Sequence, residues 1–292
     1  MKPPKFDYLR PTTVAEALEM LAAAGGDAKI LAGGQSLVPM LNFRLLNPAA
    51  LIDINRITEL DFLREQPDGG LAIGALTRHY TLETSPLVQR LFPVLTAAMA
   101  HVAHLAIRNR GTIGGSITHA DPAAELPLMM TLLEARIRLE SPRGVRTLEA
   151  ADFFVAALTS AVEEDELVTE IELPPLPHGA GWAFEEVARR AGDFALAAVG
   201  VILEVQDGKV VQARVAVTGV GDTPLRIDDA ETILYGQACD QPTLDEVVQA
   251  VREAVQPMTD LHASADYRRH LVGVLARRAL ADAWRRAHGE NL

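Results

Sequence analysis

Three features of the 292-residue chain predict an α+β fold. A helical pattern over residues 14–24 stops at Gly25-Gly26 and gives way to apolar runs at Ile30-Leu31-Ala32 and Leu51-Ile52-Asp53-Ile54, an order that favours parallel pairing. Pro174-Pro175-Leu176-Pro177, followed by His178-Gly179, interrupts the chain as a linker. Three strand-like runs and then three helix-like runs fill the remainder, the grouping of an antiparallel sheet with helices on one face. The expected division is a first domain of residues 1–176, with subparts of about 1–57 and 58–176, and a second of residues 177–292.

In chain order, Thr13-Val14-Ala15-Glu16 fits a capping box, and Val14, Ala17, Leu18 and Leu21 recur at helical spacing. In the stretch KILAGGQSLVPML, residues 29–41, a brief buried strand runs into Gly33 and Gly34, which permit backbone angles closed to other residues. Ser36 stands where it would cap a helix beginning at Leu37. Residues 62–65 and 71–75 flank Pro67-Asp68-Gly69-Gly70 as a hairpin. A short helix over 77–84 precedes Pro93, which opens an alanine-rich helix over 94–103. The segment RGTIGGS, residues 110–116, again sets two glycines between a β-branched run and a small hydroxyl residue. Asp121 before Pro122 is placed to cap a helix over 123–133. A second hairpin turns at Pro142-Arg143-Gly144, and residues 167–173 alternate as a strand. Beyond the linker, strands are expected at 182–187, 194–205 and 210–217, and helices at 227–234, 244–255 and 267–286.

Composition narrows the functions. A net charge of −12 argues against a broad nucleic-acid surface, yet a turn of N–H groups can still hold an anion at contact range. Apolar stretches are broken well before the roughly 18 residues of a membrane span, and MKPPKFDYLRP lacks a signal-type apolar region, so a cytoplasmic location is expected. Cys239 is the only cysteine, so the chain alone holds neither a disulfide nor an iron-sulfur cluster, and any cluster must come from a partner.

A glycine turn entering a helix presents unpaired N–H groups on one side, the arrangement a phosphate or pyrophosphate needs. Either Gly-Gly pair alone is as readily an ordinary turn; two of them point to one diphosphate ligand gripped from two sides. Neither G-x-G-x-x-G nor a loop ending Gly-Lys-Ser/Thr occurs, and Gly219-Val220-Gly221 reads as a turn. His101 and His104, three apart on the expected helix, favour a structural role over metal binding. His119 with Asp121 favours capping over acid–base work, and Glu163-Glu164-Asp165-Glu166 reads as a solvated run. Arg189-Arg190-Ala191-Gly192-Asp193-Phe194 is either a plain turn or a mount for an aromatic ring over a planar ligand. Arg268, Arg269, Arg277 and Arg278 read as a solvated or subunit-facing surface. No catalytic residue and no metal site is expected; chemistry, if present, belongs to a cofactor.

The segments AGGQSL (32–37), RNRGTIGGS (108–116), HADPAAELP (119–127) and ARRAGDFA (188–195) together resemble the FAD-binding medium subunit of the molybdenum hydroxylases. That family includes bacterial carbon monoxide dehydrogenase, xanthine dehydrogenase and the quinoline and related N-heteroaromatic oxidoreductases. The resemblance implies a two-part FAD-binding domain of the vanillyl-alcohol oxidase and p-cresol methylhydroxylase type, followed by a C-terminal flavoprotein domain. It assigns Leu31, Ala32, Gly33, Gly34, Gln35, Ser36 and Leu37 to a first FAD segment and Thr112, Ile113, Gly114, Gly115 and Ser116 to a second, with main-chain N–H groups holding the diphosphate. By the same resemblance Glu125, often Asp in relatives, meets the flavin polyol, Val168 lies beside the nucleotide, and Phe194 lies against the isoalloxazine ring. Glu185 falls where eukaryotic xanthine dehydrogenases carry a Lys near the flavin, which counts against NAD as acceptor. Electrons would come from two [2Fe-2S] clusters on a small iron-sulfur subunit. A large subunit carrying molybdenum cytosine dinucleotide would feed those clusters, in a dimer of heterotrimers, and the electrons would leave to an external acceptor. Two other readings compete: a self-sufficient FAD-dependent oxidase, and a non-enzymatic nucleotide-binding module.

Overall fold

The computed structural model describes residues 2–290. The first elements are β1 (Asp7–Leu9), α1 (Val14–Ala24), β2 (Ala28–Leu31), α2 (Leu37–Asn42) and β3 (Ala50–Asp53). The three strands form a parallel sheet in the order β1-β3-β2, with Leu31 paired to Asp53. Half of the expected capping box forms: Thr13 Oγ1 accepts from Glu16 N (3.2 Å), while the Glu16 carboxylate accepts from the backbone N and hydroxyl of Thr12, one residue earlier; Gly25 ends α1 in the left-handed region at φ 55°. Ala17, Leu18 and Leu21 bury against Ile52, Ile54 and Ile57. The three-residue β1 is too short to carry a periodic signal and was not expected from sequence. Ser36 does not cap α2. Gly34, at φ 73°, turns the chain earlier, so Ser36 is already helical and its side chain makes no capping bond.

The middle of the chain contributes β4 (Leu63–Glu65), β5 (Leu71–Gly74), α3 (His79–Thr84), α4 (Pro86–Leu91), α5 (Pro93–Met99), α6 (Leu105–Arg108), α7 (Ile113–His119) and α8 (Glu125–Leu132). There follow β6 (Arg136–Ser141), β7 (Gly144–Glu149), α9 (Ala150–Phe153), β8 (Phe154–Ala156), β9 (Thr159–Ser160) and β10 (Leu167–Leu173). Both expected hairpins form, and β10 joins them at the centre of an antiparallel sheet ordered β4-β5-β10-β6-β7.

Local expectations fail here for physical reasons. The helix expected over 94–103 ends at Met99; Ala103 turns left-handed at φ 44°, and Arg108 Nη1 gathers the freed carbonyls of Val102 and Ala103 at 2.9 Å each. His101 therefore lies in a turn and His104 just ahead of α6, not on one helix face, and among the described residues no group of three potential ligands could hold a metal. Gly114 and Gly115 are not a turn before a helix; they form the first turn of α7, capped by Thr112 Oγ1, which accepts from Gly115 N at 3.2 Å. Asp121 caps a tight turn through Ala123 N (2.9 Å), and α8 starts two residues later. Glu166 departs from the solvated run: it is buried and holds the Arg146 guanidinium through two bonds of 2.7 Å.

The last part comprises β11 (Gly181–Ala188), β12 (Ala195–Gln206), β13 (Lys209–Thr218), β14 (Leu225–Arg226), α10 (Asp228–Leu234), α11 (Gln241–Ala254) and α12 (Ala265–Ala287). The strands form an antiparallel sheet in chain order. β12 reads ALAAVGVIL because it is buried on both faces. Val199, Val201 and Leu203 meet α12 residues such as Val272 and Ala276, whereas Ala198 and Ile202 join the core of the middle sheet. At Gly200 a Cβ would stand 2.6 Å from Leu132 Cδ2, so the missing side chain is what lets α8 seat on this strand. Among the described residues no helix is long and apolar enough to cross a membrane.

Arg268 corrects the expected arginine surface. It is buried and donates to the carbonyls of Leu196 (2.7 Å) and Gly219 (3.0 Å) and to Asp260 (2.8 Å). Removing it leaves two buried carbonyls without a donor, so Arg268→Ala should cost about 2–4 kcal/mol in urea unfolding. Arg269→Ala, at a half-exposed neighbour paired only with Asp266, should stay within about 0.5 kcal/mol.

Candidate functional site

The two glycine segments meet. A Cβ at Gly33 would overlap the Arg110 carbonyl and stand 2.8 Å from Gly111 Cα, so glycine is required there by close approach of the other segment's backbone. A polar bridge fixes the same junction. Asn55 Nδ2 donates to Ala32 O (2.8 Å), Arg78 Nη2 donates to Asn55 Oδ1 (2.7 Å), and Arg78 Nη1 donates to Arg110 O (2.5 Å). Asp53 Oδ1 orients Asn55 by accepting from its backbone N (3.0 Å) and from Nδ2 (2.6 Å), and Tyr8 donates its hydroxyl to the same carboxylate. Asn55 and Arg78 escaped the sequence reading. The signal for Asn55 was its place just past the carboxyl end of a parallel strand, where open α/β sheets gather ligands.

Between the segments lies a cleft of about 630 Å³, within the roughly 300–1,000 Å³ usual for small-molecule sites. Ala32, Gly33, Gly34, Gln35, Ser36, Leu37, Thr112, Gly114, Gly115, Ser116, Glu125, Val168 and Phe194 all line it. Leu31 and Ile113 do not: Leu31 closes β2 and Ile113 is fully buried beneath the cleft.

The donors divide unevenly. The backbone N–H groups of residues 33–37 have no acceptor among the described residues, so five donors gather at the entry to α2. In the second segment all but Thr112 N are occupied: Ile113 N donates to Thr77 O (3.1 Å), Gly114 N to Ala75 O (2.9 Å), Gly115 N to Thr112 Oγ1 (3.2 Å) and Ser116 N to Thr112 O (3.0 Å). This corrects the expectation of two equivalent N–H cradles. What the second segment offers is the exposed, side-chain-free face of Gly115 and the Ser116 hydroxyl. Gly114 is small for another reason, because a Cβ there would stand 2.7 Å from Ala75.

His79 and Glu125 line this space and Glu186 lies outside its lining; all three are strongly shifted by burial. His79 is buried and donates from Nε2 to Thr112 O (3.0 Å), a tautomer assigned from that acceptor; burial pushes its pKa down to about 4, so it is neutral. Burial raises Glu125 to about 7, with the charge of Asp121 adding to it. Burial, then the charge of Glu125, raises Glu186 to about 8. Glu185 does not line the cleft; its charged neighbours are Asp282, Arg278 and Arg286 of α12. At the far rim Asp193 N donates to Arg190 O (3.1 Å), closing the expected turn, and Phe194 projects with 59% of its surface exposed.

Residues 4–176 match the family model described as the FAD binding domain in molybdopterin dehydrogenase, and residues 182–283 match the CO dehydrogenase flavoprotein C-terminal domain. The chain is a member of the FAD-binding medium-subunit family of the molybdenum hydroxylases. It is similar to the alpha subunit of the 6-hydroxypseudooxynicotine dehydrogenase complex of Paenarthrobacter nicotinovorans, at 43% identity over 98% of this chain and 97% of that one. Among solved structures it is similar to carbon monoxide dehydrogenase from Hydrogenophaga pseudoflava (TM-score 0.96, 41% identity, 98% of this chain and 99% of that one). It is also similar to quinoline 2-oxidoreductase from Pseudomonas putida 86 (TM-score 0.93, 38% identity, 99% of each chain).

The residues of this flavoprotein fit the cofactor of the family. Free N–H donors at one end of the cleft suit a diphosphate, and an exposed aromatic at the other suits a planar ring. Gly33→Ala should drive the two segments apart and lower FAD content at least tenfold in the purified protein, read from the flavin absorbance; full occupancy would refute the close-approach account. The buried carboxyls also set a pH slope. A carboxyl whose folded pKa lies above its unfolded value of about 4.3 keeps a proton in the native state that the unfolded chain has lost, so stability falls as pH rises through that window. FAD-free protein should therefore lose urea resistance from about pH 4.3 to the folded values near 7 and 8, and Glu125→Gln should flatten the lower part of that decline.

Proposed function

We propose that the chain is the electron-relaying flavoprotein of a three-component molybdenum hydroxylase. The observation that carries this reading is the run of free N–H groups at residues 33–37 facing a cleft that ends at the exposed Phe194. When bound, FAD supplies the capacity to accept electrons one at a time and release them to an acceptor. The chain's part is to bind and orient. Residues 32–37 hold the diphosphate at the positive end of α2, Gly115 leaves room for it, and the Ser116 hydroxyl completes the grip. Glu125, Val168 and Phe194 all line the cleft, where Glu125 would face the polyol, Val168 would pack beside the nucleotide and Phe194 would cover one face of the ring.

In this reading residues 1–176 form a vanillyl-alcohol-oxidase and p-cresol-methylhydroxylase-type domain, and residues 177–292 form the C-terminal flavoprotein domain. Electrons arrive from [2Fe-2S] clusters on a small partner and ultimately from a molybdenum cytosine dinucleotide subunit, within a cytoplasmic dimer of heterotrimers. The lone Cys239, whose thiol is pushed up to about 12 by burial, suits a chain that holds no cluster itself. The likenesses to a carbon monoxide and to a quinoline enzyme at the same chain length support placing substrate chemistry on another subunit. N-heteroaromatic compounds are the substrate class favoured by the segment HVAHLAIRNRGT, residues 101–112.

Purified chain should carry FAD that reduced iron-sulfur partner bleaches and candidate substrates alone do not; direct bleaching by a substrate would defeat the reading. Phe194→Ala should retain FAD while shifting its midpoint potential or its rate of electron release, measured by potentiometric titration and stopped-flow reoxidation. Wild-type values in both would remove Phe194 from the ring face.

A further inference from the structure

Behind Glu125 the interior holds a second carboxyl with no structural duty. Glu186 lies on β11 opposite Ala198 of β12, and its side chain is only 3% exposed. Its Oε1 is 3.8 Å from His101 Nδ1, beyond hydrogen-bond range, and its Oε2 has no hydrogen-bond partner among the described residues. A buried, unpartnered carboxyl is costly, and few folds keep one without a use. Among the described residues no Lys or Arg charge acts on it. The charged residues of α12 near this strand, Arg278, Asp282 and Arg286, surround Glu185 on the other face, while Glu125 from α8 and His101 from the turn after α5 approach Glu186.

His101 completes a line to water. Its side chain is 42% exposed, and the Phe184 ring holds it edge-on with centroids 5.1 Å apart. Glu125 lines the cleft at the other end, near the rim where Ala195 N donates to Ala123 O and Phe194 projects. The three groups thus step from the cleft, through the buried Glu186, to the half-exposed His101.

We infer that Glu125, Glu186 and His101 form a proton route between solvent and the flavin cleft, an assignment that rests on the FAD reading above. Electrons from a one-electron donor arrive without protons, whereas full reduction of a flavin by two electrons binds up to two. For each proton delivered, the Glu125 carboxyl gives its O–H proton toward the cleft, Glu186 reprotonates Glu125, and His101, which burial keeps neutral at rest, takes a proton from solvent to become imidazolium and then passes one to Glu186. All three groups end as they began, and the net change is one solvent proton consumed. Reoxidation by an electron-only acceptor runs the same transfers outward. The raised affinities for protons at Glu186, about 8, and Glu125, about 7, leave both able to give and regain a proton near neutrality.

The test uses the full-length, FAD-loaded chain mixed rapidly with reduced methyl viologen, a one-electron donor that carries no proton, in weakly buffered solution with an indicator dye. Flavin absorbance reads electron arrival and the dye reads proton uptake. In the wild type the two should coincide. Glu186→Gln should retain the flavin spectrum but slow uptake by on the order of 100-fold. His101→Asn should slow it as well, and added imidazole should restore it, which a purely structural role would not allow. Glu185→Gln, on the opposite face, should match the wild type. Wild-type uptake in Glu186→Gln, equal slowing in Glu185→Gln, or no imidazole rescue in His101→Asn would each overturn the route. A wild-type chain that binds no FAD would instead overturn the cofactor reading beneath it.

Discussion

The site depends on one close approach, the Gly33 backbone against the carbonyl and Cα of Arg110 and Gly111. Everything that makes a cleft here follows from that contact. It brings the end of a parallel strand beside a loop more than 70 residues later, and it works only because neither side carries an intervening side chain. Asn55 and Arg78 then hold the junction by hydrogen bonds to one carbonyl from each segment, so the spacing is set by directional bonds as well as by contact. The free N–H groups of residues 33–37 are left to face the cleft because this junction diverts the chain from any ladder that would have used them.

Burial sorts the ionisable groups around the cleft into two kinds. Those with partners become struts: Arg108 binds Glu83 and two carbonyls, Arg146 binds Glu166, and Arg268 binds Asp260 and two carbonyls. His79, bonded only to the Thr112 carbonyl, and the carboxyls Glu125 and Glu186 lack an oppositely charged partner, and the low-dielectric interior moves each toward its neutral form. A net charge of −12 is no obstacle to holding an anionic cofactor, since the donors at residues 33–37 are neutral amides that act at contact range and burial moves Glu125 toward its neutral form.

Much of this was legible in the amino-acid sequence. The Thr13 cap, the two hairpins and the run of strands and then helices all carry signals within a dozen residues, and they stand where periodicity and turn chemistry put them. The two glycine segments were legible as a pair, and they do converge. What a local reading missed came from distant groups. Arg108 ends the alanine-rich helix early by collecting its carbonyls, and Gly114 is small because of Ala75 rather than a ligand. Arg268 and Glu166, polar letters on a surface pattern, are interior struts. The role of Glu186 was hidden for the same reason: one strand position separates it from Glu185, and only the pleat puts the two on opposite faces.

The proline-rich stretch at 174–177 interrupts the chain but not the interior. β12 presents Ala198 and Ile202 to one core and Val199, Val201 and Leu203 to another, so a single strand is wall to both. Cutting the polypeptide at the linker would strip an oily face from each half, leaving two fragments that stick rather than two modules that work. The two halves of such a chain are thus inherited as one piece, and their melting, mutation and turnover are bound to a common fate.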